Sequence, residues 1–156
     1  MEPSIMLGVN VISIILGQQM ISNAISEASG SVYKSITNIF SHSDYVAELL
    51  TSLDIINKLQ CMENILADIE GDHMYTKSIK MSSESIHDMI LNIKADLQKI
   101  EYKIVAHKDK YFNKYRIISI NDEVIALKLH CKLLDSRYDQ LIKIINITQI
   151  MKPVSN

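Results

Sequence analysis

Residues 86–104 read IHDMILNIKADLQKIEYKI, and within them Ile86, Ile90, Ile93, Leu97, Ile100 and Ile104 follow one another at steps of four, three, four, three and four. That spacing keeps six branched apolar side chains on one stripe of an α-helix and closes a heptad seam about three repeats long. No β-strand accommodates it, because side chains on a strand alternate faces every residue. A hydroxyl at Ser82 or Ser83 is placed to cap this helix, which could run as far as Arg116.

Working outward, neither proline nor glycine occurs from Asp72 to Lys152. Long helices therefore fill this half of the chain. Ile117–Ile120 is a short apolar link. Asn121 or Asp122 caps a last helix whose buried side is Val124, Leu127, Leu134, Tyr138, Leu141, Ile145 and Thr148, and Pro153 stops it. Two long helices joined this way fold back antiparallel. Upstream, Ser41 and Asp44 have capping-box spacing, and a helix over 44–69 carries Val46, Leu49, Leu53, Ile56, Leu59, Ile65 and Ile69 on one side. Gly71-Asp72 ends it, and His73–Met81 is a connector. Segment 44–72 is net acidic and 95–116 net basic, which favours their juxtaposition. The sequence thus predicts an all-α fold, an antiparallel bundle of about four helices, with 41–152 as the bundle and 1–40 as an apolar N-terminal helical segment.

That N-terminal segment differs from the rest. Between Glu2 and Glu27 there is no charged residue. Ile5, Leu7, Val9, Ile12, Ile15, Leu16 and Ile21 supply the apolar surface, while Gly17, Ser26 and Gly30 are small residues of the kind that let helices approach closely. Gly30-Ser31 is a candidate break. The run is too polar for a lone membrane span, since Asn10, Gln18 and Gln19 interrupt it and about 20 apolar residues are needed. Two roles stay open: reversible engagement of a membrane, or burial within an oligomer or core.

A second cluster lies late in the chain. Lys103, Lys108, Lys110, Tyr111, Phe112, Lys114, Tyr115 and Arg116 interleave cations with aromatics. Such a surface suits anionic headgroups or a protein partner. It also suits the end of a helix, where cations offset the dipole. Net charge is −2, so a nucleic-acid partner is not expected.

Chemistry is hard to find. No Gly-rich phosphate loop, G-x-S-x-G or cysteine–histidine nucleophile context is present, so the chain reads as non-enzymatic and without a cofactor. His130 and Cys131 are adjacent and point about 100° apart on a helix. A zinc site would need Cys61, His107 and Cys131 to converge, and no metal site is expected. Two cysteines are too few for a disulfide scaffold. Met1-Glu2-Pro3 lacks a positive leader, so an intracellular location is expected rather than secretion.

The heptad helix running into His107-Lys108-x-Lys110-Tyr111-Phe112-x-x-Tyr115-Arg116 and then a second long helix, in an Ile-, Lys- and Asn-rich chain, resembles the small uncharacterised helical proteins of large nucleocytoplasmic DNA viruses. The resemblance implies a viral protein in the host cytoplasm, as a membrane-associated factor or as a virion or host-binding component. The layout is also similar to the HeLo-type and necroptotic four-helix bundles, in which an apolar N-terminal helix and a basic surface act on lipid. Here the cations sit late in the chain, and no residue role is transferred.

Overall fold

The computed structural model describes the backbone of residues 3–70, 75–109 and 118–151, and the side chains of residues 21–69, 75–109 and 118–151. The chain is all-α: α1 (Pro3–Phe40), α2 (Asp44–Leu53), α3 (Ile55–Glu70), α4 (Lys77–Lys108) and α5 (Asn121–Ile150). Helices α2 and α3 together form one arm of a four-helix bundle, and no strand occurs among the described residues.

Every residue of the α4 seam, from Ile86 to Ile104, is buried to 1% exposure or less. Each such side chain stabilises the fold by roughly 1.5–3 kcal/mol relative to an exposed position. The seam lies between α5 and α1, the two helices on which α4 packs most extensively. Three polar contacts set the direction of α5. Lys103 pairs with Glu123, Asp96 with His130, and Arg137 donates to the carbonyl of Ser85. As the α4 number falls the α5 number rises, so these two helices are antiparallel.

The third partner of the seam is α1, not the 44–69 segment as the sequence suggested. Ile25, Ala28, Val32, Ile36 and Ile39 are all core residues, with Ser29 and Ser35 buried among them. The Asn38 amide donates to Glu101 at 2.9 Å, tying the C-terminal parts of both helices together. A buried α1 stripe some 20 Å long can lie along α4 from that tie only if the two run in the same direction. Helices α2 and α3 then close over α1, where the Tyr33 hydroxyl donates to Glu63 at 2.7 Å.

Several boundaries move. Gly30-Ser31 does not break α1, which is continuous through both. Gly30 carries no positive φ, and Ser31 Oγ donates to the carbonyl of Glu27 within the helix. The 44–69 helix is two helices, because Asp54 adopts the left-handed conformation at φ 50°, ψ 36°. The break resets the helical phase. Leu50, Ile55, Met62 and Leu66 join Val46 and Leu59 in the core, while Leu49, Leu53, Ile56, Ile65 and Ile69 are half-buried.

The caps also differ. Ser43 rather than Ser41 caps α2, accepting from the Val46 amide. Thr76 rather than Ser82 or Ser83 caps α4, accepting from the Ile79 amide, so the helix takes in part of the expected connector. Ser83 is buried inside that helix and donates to the Ile79 carbonyl. α4 ends at Lys108, short of Arg116. At α5 the cap position is Ile120, with no side-chain bond, while Asp122 and Glu123 in the first turn offset the helix dipole. On α5, Cys131 joins the expected core, whereas Val124, Tyr138 and Thr148 are half-buried. The stops assigned to Gly71-Asp72 and Pro153 lie outside the described residues.

Candidate functional site

Asp96 is the one charged residue in the core among the described residues. It sits on the α5 side of the seam, and His130 on α5 meets its carboxylate. One residue on, Cys131 turns into the core, and burial pushes its thiol up to about 12. A thiol held that high is protonated at neutral pH and is not a nucleophile. Beside it Lys58 of α3 reaches Asp135 at 3.0 Å, which adds a polar clamp between α3 and α5. The Tyr33 hydroxyl is likewise raised, by burial first and then by its bond to Glu63. These pairs fix helix register; none places a nucleophile next to a free base.

No group of three His, Cys, Asp or Glu among the described residues could hold a metal ion. The trio Cys61, His107 and Cys131 does not converge. His107 lies eleven residues past Asp96 on α4, about 16 Å along the axis, whereas Cys131 follows the residue that pairs with Asp96. Cys61 is exposed on α3.

The basic and aromatic cluster is only partly in view. Lys103 folds back, pairing with Glu123 and donating to the Ser119 carbonyl at 3.2 Å. That contact holds the Glu123 carboxyl below its usual range and fastens the α5 start to α4. Lys103 therefore acts in the corner between the helices. Lys108 is exposed at the end of α4, and Tyr102 is exposed a turn and a half earlier. Lys110, Tyr111, Phe112, Lys114, Tyr115 and Arg116 lie outside the described residues.

The N-terminal candidates divide in the same way. The side chains of Ile5, Leu7, Val9, Ile12, Ile15 and Leu16, and Gly17 with them, lie outside the described set. Ile21 packs partly buried against the core. Ser26 and Gly30 face outward, and a Cβ built on Gly30 would meet nothing within 4 Å. Among the described residues they mediate no close helix contact.

One surface was not anticipated. The side of α5 opposite the core carries Ile125, Leu129, Leu133, Ile147 and Ile150, exposed by between 39% and 83%, with Met151 just beyond the helix. Lys132, Ser136, Gln140 and Lys143, all exposed, lie on the same side between Leu129 and Ile147. The exposed apolar residues of α5 therefore form two patches, one toward each end of its outer side. They were present in the sequence as apolar residues left over once the core positions are assigned.

No family model matches this chain, and neither does any solved structure. An uncharacterised protein of Acanthamoeba polyphaga mimivirus is 28% identical over 149 aligned positions, covering 78% of this chain and 72% of that protein. The chain resembles a viral protein. This agrees with the character of its sequence and assigns it no activity.

Proposed function

We propose that this chain is a non-enzymatic helical interaction protein, a bundle that presents the outer face of α5 to another macromolecule. The observation that carries this reading is the pair of exposed apolar patches on the outer side of α5, Ile125, Leu129 and Leu133 toward its start and Ile147 and Ile150 at its end. A bundle helix ordinarily shows one apolar stripe and a polar back. Exposed apolar residues gathered along one face, rather than scattered singly, mark contact surfaces. A virion or host-binding component of a large DNA virus is the setting that the mimivirus likeness suggests.

The test uses Leu129→Glu, a change at a 53% exposed position that leaves the core alone. Wild type should self-associate at high concentration by light scattering, or bind anionic vesicles, and the variant should lose that behaviour at unchanged helicity. If neither property depends on Leu129, the α5 face is not the contact surface.

A second reading, reversible lipid docking by the N-terminal segment, is favoured by the absence of charge between Glu2 and Glu27. The likeness of the sequence layout to HeLo-type bundles points the same way. The fold narrows it: from Ile21 onward α1 is a bundle helix, so a membrane element would consist of residues before Ile21. Among the described residues no helix is long and apolar enough to cross a membrane. Vesicle co-sedimentation lost on deleting residues 1–20, yet kept in Leu129→Glu, would establish this alternative.

A further inference from the structure

α1 and α4 run in the same direction and pack on each other, so the chain between them has to travel back along the bundle. The arm formed by α2 and α3 is that return. The extensive packing of the bundle runs from α1 to α4 to α5, and the arm joins it chiefly through α1. Among the described residues two side-chain ties hold the arm to other helices. Tyr33 of α1 donates to Glu63, and Lys58 reaches Asp135 of α5. The second tie joins side chains 33% and 47% exposed, where an ion pair contributes little.

The arm supplies six of the twenty-five buried apolar residues, Val46, Leu50, Ile55, Leu59, Met62 and Leu66. The break at Asp54 divides it into helices of 10 and 16 residues. Helices that short are marginal alone in water, so an arm that leaves the bundle does not stay helical. α4 and α5 are 32 and 30 residues long. They hold each other through the seam and through the Asp96–His130 and Ser85–Arg137 contacts, which involve no residue of the arm.

We infer that α2 and α3 unfold and refold as one unit while α1, α4 and α5 stay packed, which gives the protein an open state short of global unfolding. In that state the sides of α1 and α5 next to Tyr33 and Asp135 lose their cover. This surface is distinct from the outer side of α5 and does not depend on its role. Regions held by fewer contacts open at lower free energy than the core they cover, and such units coincide with supersecondary elements.

The test is native-state hydrogen exchange of the full chain, with urea added below the unfolding transition. The slowest amides of residues 44–70 should exchange about tenfold or more faster than the slowest of residues 86–104. Their rates should also rise less steeply with urea, because opening the arm exposes less surface than unfolding the chain. Ile93→Val, in the seam, shows whether the arm opens by itself. It should speed the seam amides by about two- to tenfold and leave the arm amides unchanged, since Ile93 stays packed in the open state. Lys58→Glu removes a tie that the open and the unfolded states both lack, so it should speed arm and seam alike. Equal rates and urea slopes in the two segments would overturn the separate opening. So would arm amides that Ile93→Val accelerates as much as those of the seam.

Discussion

The carboxylate of Asp96, 4% exposed in the α4 seam, is met by the imidazole of His130 on α5. The contact lies midway between the Lys103–Glu123 and Ser85–Arg137 ties and shares their antiparallel register. It is the only one of the three that reaches into the core. A charge so placed constrains which turn of α5 can lie against which turn of α4, because any slip leaves Asp96 against hydrocarbon.

Breaking this pair should therefore cost more than replacing it. His130→Ala leaves a buried carboxylate unpartnered and should lower stability by about 2–4 kcal/mol, somewhat under a fully buried pair because the imidazole is a quarter exposed. Asp96→Leu with His130→Leu should recover most of that loss. Urea unfolding of the singles and the double gives the coupling. Additive losses would show that the two residues do not act as a pair.

Cys131 makes stability depend on alkaline pH. Its thiol is raised from the usual 9.0 to about 12, first by burial. Below pH 9 both folded and unfolded chains hold the proton, and the full stability is present. Above pH 9 the unfolded chain releases it while the folded one does not. Stability therefore falls as pH rises toward about 12, by up to about 1.4 kcal/mol per unit. Tyr33, raised from 10.0, adds a loss of the same sign at higher pH. Cys131→Ala should flatten the fall between pH 9 and 10 in denaturant titrations. The same burial predicts that a thiol reagent titrates Cys61 in the native protein and Cys131 only after unfolding.

The α4 seam was legible residue by residue because a heptad of branched side chains has no other use at that spacing. The second half of α1 was left between two roles, contact with lipid or burial, although its core stripe is also in the sequence. Ile25, Ala28, Val32, Ile36 and Ile39 recur at three- and four-residue steps, with Glu27 and Lys34 on the exposed side. The uncharged run before them drew 1–40 together as one element. The outer face of α5 escaped notice for a physical reason: its apolar residues are split by Lys132, Ser136, Gln140 and Lys143, so they form no continuous second stripe and the core stripe dominates the pattern. Asp54 gave no warning, since an aspartate tolerates the left-handed conformation without requiring it.

Gly30 offers a stabilising substitution. It lies inside a continuous helix without positive φ, and a Cβ there meets open space. Gly30→Ala reduces the entropy of the unfolded chain and restores helix propensity, about 0.5–1 kcal/mol together. A melting temperature higher by about 1–4 °C is expected. A lower one would mean that another backbone approaches this face in the native assembly.

Asp54 should respond oppositely to two apolar changes. Its backbone at φ 50° ends α2, and its N–H bonds to the Thr51 carbonyl, while its carboxylate accepts from Asn57 at 3.1 Å. Glycine adopts this conformation without a Cβ clash but gives up the exposed Asn57 contact, so Asp54→Gly should gain about 0.5 kcal/mol. A β-branched side chain is strained at positive φ and cannot accept from Asn57. Asp54→Val should lose about 1–2 kcal/mol. Thermal melts of the two variants read the sign directly, with shifts of about +1 to +2 °C and −2 to −8 °C. If valine is tolerated as well as glycine, α2 and α3 can rejoin as one helix, and the core phase set by the break at Asp54 is not needed for the fold.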